Sequence, residues 1–191
     1  MGRTDESPFT ESIPQNLLRE PLEYLFADHM RQTTICALIY ELSEYLDSRR
    51  PGEAIAPETR LKIEHALHYL NEDLALHIAD EEMDILPRLR ARGRPEDGIA
   101  AILREMSTQH ARDENLSEKL VAALKTVLSA PDISLPEKIS AAAGAFAESH
   151  CGHMKWENDV LLPLARKRLT PDDQAQIGRT MARRRGVPYP S

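Results

Sequence analysis

An all-α protein, an antiparallel up-down-up-down four-helix bundle with a short C-terminal helix, is what this sequence of 191 residues predicts. Three observations predict it. Apolar residues recur at helical spacing through four long stretches. Prolines and short polar breaks divide those stretches, and no β-branched alternation bounded by tight-turn dipeptides appears between them. The breaks are short, which makes neighbouring helices antiparallel.

Each element follows from its punctuation. The first helix covers residues 21–49 and ends at Arg50-Pro51-Gly52. The second covers 57–92, opening on Pro57, a good first-turn residue, and closing before Gly93. The third covers 95–129 and stops before Pro131, and the fourth covers 136–169. Thr170-Pro171-Asp172-Asp173 supplies an N-cap, a proline and first-turn acids for a short last helix, which ends at Gly186. The chain thus divides into an N-terminal surface segment (1–19, with Pro8 and Pro14), the bundle (20–169), and the short helix with its tail (170–191).

Composition removes several classes of function. The formal charge of −7 argues against nucleic acid or an anionic membrane as the main partner. No apolar run approaches the roughly 18 residues of a membrane span. The opening MGRTDESPFTESIPQ is acidic and polar, unlike a signal or transit peptide. Two cysteines, Cys36 and Cys151, make no disulfide framework, and a reducing cytoplasm is the expected compartment. The basic stretch from Arg166 to Arg185 reads as a helix end pairing with an acidic body. The patterns of zinc proteases, P-loops and dinucleotide-binding folds are absent.

The histidines are more informative. Glutamate follows four of the seven by four residues: His68/Glu72, His77/Glu81, His110/Glu114 and His153/Glu157. With 19 glutamates in the chain, chance gives about one such pair. Residues i and i+4 are neighbours on one helix face, so each pair can serve one metal or two adjacent ones. Helix phase separates ligands from surface pairs. At about 100° per residue, Glu81 lies about 40° from His77, within a stripe formed by Ile63, Leu70 and Leu74. His68 falls on the opposite side, about 180° away, and with His65 faces solvent. His110 and Glu114 share the stripe of Leu103 and Val121, His153 and Glu157 that of Phe146 and Leu164, and His29 that of Leu22 and Leu25. Cys36, Tyr40 and Trp156 read as core packing, whereas Glu82 and Glu148 point away. His150 lies on the inward face of its helix and reads as an extra ligand, a donor orienting a carboxylate, or the lining of an entry path.

Four histidines and three carboxylates would then converge in one interior with no lysine or arginine beside them. Buried carboxylates without positive charge cost several kcal/mol each, about 2 or more. A pair of metal ions supplies that charge and accepts imidazole and carboxylate together. The halves also match: His77-x3-Glu81 running to Pro87 parallels His153-x3-Glu157 running to Pro163, and His29-Met-Arg parallels His110-Ala-Arg.

On these residues the chain resembles the hemerythrin-like, or HHE cation-binding, domain family over about residues 20–169. The motifs are Asp28-His29-x-Arg31, His77-x3-Glu81-Glu82 with Ile85-Leu86-Pro87, His110-x3-Glu114, and His153-x3-Glu157 with Leu161-Leu162-Pro163. The resemblance implies two iron ions with an oxo or hydroxo bridge. It makes His29, His77, His110 and His153 terminal ligands, Glu81 and Glu157 bridging ligands, and Glu114 terminal. Manganese or zinc would also suit such donors.

Oxygen-carrying hemerythrins have His in place of Glu114 and His-x4-Asp in place of His153-x3-Glu157. The harder donor set here favours ferric iron over reversible oxygen carriage. The expected function is a non-haem di-iron protein that binds or senses oxygen, nitric oxide or redox state. The alternatives are an iron- or oxidant-handling enzyme (peroxide or nitric oxide turnover, or iron–sulfur repair) and an interaction module with a structural metal. The expected partner is a small diatomic ligand, with neither nucleic acid nor membrane involved; the sequence does not identify a protein partner.

Overall fold

Helices carry nearly all of the chain in the structure, a computed structural model that describes residues 12–50, 53–130 and 138–190. Helix α1 spans Pro21–Ser48 and α3 spans Ile99–Ser129. Helix α2 runs over 57–92 and α4 over 139–168, each as an α-helix interrupted by π-helical turns. Helix α5 spans Pro171–Arg184. A 3-10 turn at Gln15–Arg19 precedes α1. The expected start of the fourth helix at Pro136 lies outside the described residues.

The π turns interrupt ladders that the sequence presents as regular. They occupy Tyr69–Asp73, Glu81–Ile85 and Glu157–Leu161. In the last two, the Leu86 and Leu162 amides donate to the carbonyls of Glu81 and Glu157, five residues back. Each is followed at once by a proline, Pro87 or Pro163, which has no amide hydrogen and whose ring crowds the carbonyl four residues earlier. Widening the turn just before the proline relieves that conflict, and such insertions are frequent at functional sites.

Two apolar clusters sit at opposite ends of the bundle, and the order in which the helices visit them shows the topology. Along α1, Leu22 and Leu25 belong to the lower cluster and Ile35 and Ile39 to the upper. Helix α2 runs the other way, from Ile63 and Leu74 above to Ile85 and Leu89 below. Helix α3 climbs from Met106 to Leu120 and Leu124, and α4 descends from Phe146 to Leu161 and Leu162. This is the expected up-down-up-down arrangement. Between the clusters lies a buried polar layer, to which every long helix contributes. No helix among the described residues is long and apolar enough to cross a membrane.

Helix α5 shares the lower cluster through Ile177, Met181 and Ala182, so it is built into the bundle end. A capping box starts it: the Thr170 hydroxyl accepts from the Asp173 amide at 3.1 Å, and the Asp173 carboxylate accepts from the Thr170 amide at 3.0 Å. The basic residues pair with the acidic body as the sequence predicts. Arg166 reaches Glu23, Arg168 reaches Asp97, and Arg184 and Arg185 both reach Asp80, while Arg92 of the body pairs with Asp173 of α5. Asp80 is fully buried, and Arg185 also lies over the Tyr24 ring.

Glycine positions give a first test of this packing. A Cβ at Gly178 would stand 1.9 Å from the Leu18 carbonyl oxygen, a backbone atom that cannot swing away. Gly178→Ala is expected to push α5 from the 3-10 turn and to cost about 1–3 kcal/mol. At Gly152, on α4, the same Cβ meets nothing within 4 Å. There the alanine should stabilise by about 0.5–1 kcal/mol through helix propensity. Denaturant melts of the two variants check both signs.

Candidate metal centre

The polar layer is built from a small number of side chains with one repeated geometry. His29, His77, His110 and His153, one from each long helix, each turn Nε2 inward and Nδ1 outward. On the outward side every Nδ1 faces an oxygen: Asn158 Oδ1 at 2.7 Å for His29, Asp28 Oδ2 at 3.0 Å for His77, Glu82 Oε1 at 2.7 Å for His110, and Asp113 Oδ2 at 3.0 Å for His153. Carboxylate and carboxamide oxygens only accept, so each Nδ1 carries the proton and donates. A neutral ring held this way presents its Nε2 lone pair to the centre, the arrangement of metal-binding histidines.

Inward, the four Nε2 atoms meet Glu81 and Glu157, both fully buried. His29 Nε2 lies 3.1 Å from Glu157 and 3.9 Å from Glu81, and His77 Nε2 lies 3.6 Å from Glu81. His110 Nε2 lies 3.2 Å from Glu81, and His153 Nε2 lies 2.8 Å from Glu157. His110 Nε2 and Glu81 Oε2 are paired by a hydrogen bond, but most of this proximity is not pairing. Nε2 of His29, His77 and His153, Oε1 of Glu81 and both oxygens of Glu157 are buried without an aligned hydrogen bond. Such orphaned polar atoms are costly in a protein interior, which is what an absent cation would leave behind. The residues present therefore fit a metal ion.

Three groups of possible ligand atoms can be separated; one joins Asp113 and His150 to His153, and the other two contain Glu157. His29, His77, Glu81 and Glu157 offer ligand atoms that all lie within 4.8 Å of one another, and so do those of His110, His153 and Glu157. Glu157 belongs to both. Charge follows the same geometry. Burial works against charging His29, yet the carboxylates of Glu157 and Glu81 outweigh it and hold the ring up at about 10. Burial also opposes charge on His153, and Asp113 with Glu157 raises it to about 10. Outside the centre, burial resists ionising Asp28, but His77 and Arg31 pull it down to about 2. Protons and a cation would therefore compete for the same Nε2 positions.

Six of the seven expected ligands are brought together, and the seventh is not. Glu114 is exposed on α3 and belongs to neither group. The buried face of that helix runs through Met106, His110, Asp113, Ser117, Leu120 and Leu124. It is centred about 50° from His110 on the side of Asp113, which leaves Glu114 about 90° off centre. Asp113, not Glu114, is the inward carboxylate of α3, and it orients His153 rather than facing the centre. Its position about 60° from His110 was readable from the same wheel.

Two other residues differ from the sequence reading, and a third, Asn158, had none. Glu82 holds His110 in place although its side chain is 44% exposed. Tyr40 is 38% exposed rather than core. Asn158 reaches His29 from inside the π turn of α4, a phase change that no regular helix anticipates. His150 lies where it can donate to a carboxylate, with its Nδ1 2.9 Å from Asp113 and its Nε2 2.7 Å from Gln32 Oε1, and it also belongs to the ligand group of Asp113 and His153. Cys36 is buried in the upper cluster, as expected, and His68 is two-thirds exposed near Asp73.

A groove of about 700 Å³ between α2 and α3 is lined by Leu70, Leu74, Ile78 and Val121 together with Glu82, Glu114 and His110, the last of which belongs to the centre.

An all-helical bundle enclosing a buried histidine–carboxylate donor set defines a metal-binding helical protein. The chain belongs to the hemerythrin HHE cation-binding domain family, whose model matches residues 20–179 and so includes the first part of α5. A protein of Haemophilus influenzae described as an uncharacterized protein is 25% identical over 169 residues, covering 88% of this chain and 91% of its own.

Proposed function

We propose that the chain is a non-haem di-iron protein that binds or senses a diatomic molecule, oxygen or nitric oxide. His29 and His77 would hold one ion, His110 and His153 the other, and Glu81 and Glu157 would lie between them. The observation that carries this reading is the sharing of Glu157 by two donor groups, each with two histidines locked from outside. Iron held by imidazole and carboxylate supplies one-electron redox chemistry and a position for a small ligand.

The groove supports a small ligand as the partner. Of the two groups, the one with three donors contains His110, and His110 lines the groove. With Glu114 outside, the donor set is four histidines and two carboxylates. That removes one of the two departures on which the preference for ferric iron rested.

The test is metal analysis with an optical spectrum of protein purified aerobically from iron-supplemented cells. Near two irons per chain, with near-ultraviolet bands of an oxo bridge, is the expected result. Zinc, or a colourless iron-free protein, overturns it. The reduced protein should then change its spectrum with oxygen or nitric oxide, a response that a purely structural metal would not give. Metal affinity should also rise with pH up to about 10, because ligation requires the protons on His29 and His153 to leave.

A further inference from the structure

One buried chain of hydrogen bonds joins the two donor groups by a route that avoids the centre itself. It starts at Asp28, which accepts from His77 Nδ1 and, at 3.0 Å on the same oxygen, from Gln32 Nε2. Because a carboxylate only accepts, the Gln32 amide must present its nitrogen to Asp28 and its oxygen to the other side. That oxygen accepts from the Tyr69 hydroxyl at 2.9 Å and lies 2.7 Å from His150 Nε2. His150 Nδ1 lies 2.9 Å from Asp113 Oδ2, the same oxygen that holds His153 Nδ1 at 3.0 Å. Both His150 nitrogens thus face acceptors, so the chain is closed by the doubly protonated ring, a form that burial opposes and the Asp113 carboxylate favours. The path is His77, Asp28, Gln32, His150, Asp113, His153, and it crosses all four long helices.

Stability does not explain these residues. Gln32 is 1% exposed and His150 2%, and His150 already stacks on Phe146, so apolar side chains would fit beside Ile35 and Phe146. Buried polar networks are on average no more stabilising than apolar packing of the same volume. What this one adds is a mechanical link. Asp28 orients a histidine of one donor group and Asp113 a histidine of the other, and Gln32 with His150 spans the gap between them.

We propose that Gln32 and His150 are positioning residues that couple the two metal positions, so that filling one prepares the other. This rests on the dinuclear reading above. A cation on His77 Nε2 strengthens the outward bond from Nδ1 to Asp28 and fixes that carboxylate. Asp28 then sets the Gln32 amide, Gln32 sets His150, and His150 sets Asp113, which aims His153 at its ligand position. The first ion bears the cost of ordering the chain, and the second binds to a site already formed.

The experiment is a stepwise cobalt(II) titration of the full chain, followed by calorimetry and the visible cobalt bands. The wild type should bind two ions, with the one-ion species below its statistical share. Gln32→Met should still bind two, but with the second about 10-fold weaker relative to the first. His150→Phe cuts the same path at its other end and should show the same loss. The double variant should be no worse than either, as links in series require.

Ser43→Ala also removes a buried hydrogen bond, from the Ser43 hydroxyl to the Ile39 carbonyl, but off the path, and should keep the coupling. An unchanged ratio of the two affinities in Gln32→Met overturns the proposal, and so does an equal loss in Ser43→Ala. A wild type that binds one ion or none removes the dinuclear reading itself, before any variant is compared.

Discussion

Glu157→Ala is expected to bring metal content from about two ions per chain to near zero. The residue serves both donor groups, both of its oxygens lie inside the centre, and it touches no solvent. A ligand that fixes only one position would leave the other filled; a shared one empties both. His77→Ala should lose most of its metal as well, since Nε2 is removed and Asp28 is left to Arg31 and Gln32. His68→Ala is the control, because that histidine also has glutamate four residues on but is exposed.

Metal should raise the melting temperature of the wild type by about 5–10 °C when present at 100 times its dissociation constant, from a linkage of about 2.7 kcal/mol. That shift should vanish in Glu157→Ala and persist in His68→Ala. Equal metal content in all three variants would refute the assignment of the centre.

The second large effect concerns α5. Replacing both Arg184 and Arg185 with alanine should destabilise the metal-free protein by about 3–5 kcal/mol, the cost of leaving a buried carboxylate without its cations. Asp80 is the carboxylate in question. It is fully buried, and burial pushes its pKa up even with Arg185 and Arg184 beside it. For a chain of this size the loss lowers the melting temperature by about 10 °C. Adding Asp80→Ala should recover most of it, because the uncompensated charge is gone. A doubly substituted protein that melts within about 1 °C of the wild type would mean that Ile177 and Met181 alone hold the helix. Asp80 precedes Glu81 on α2, so these arginines also brace the turn that carries an inward glutamate.

Much of the centre was legible because a helix is periodic. Phase alone places His77 with Glu81 and His153 with Glu157 on inward faces, and it sends His68 outward. The reading failed where periodicity carries less information. Glu114 and Asp113 are adjacent, and both lie within about 60° of His110. Choosing between them needs the true centre of the buried face, which depends on how α3 rolls against α2 and α4. Asn158 lies in a π turn, where one added residue resets the phase.

Spacing along the chain carries the class of fold, the four inward histidines, Glu81 and Glu157 among three candidate glutamates, and the pairing of the basic C-terminal stretch with an acidic body. These follow from spacing along one chain, where local geometry is fixed by the helix. Helix packing sets which oxygen locks each ring, the sharing of Glu157, the place of Glu114 outside, and the contact of Gln32 with His150 between Asp28 and Asp113. Those facts join residues as far apart as Gln32 and His150. Such contacts depend on the roll and register of packed helices, and a helix repeat carries no record of either.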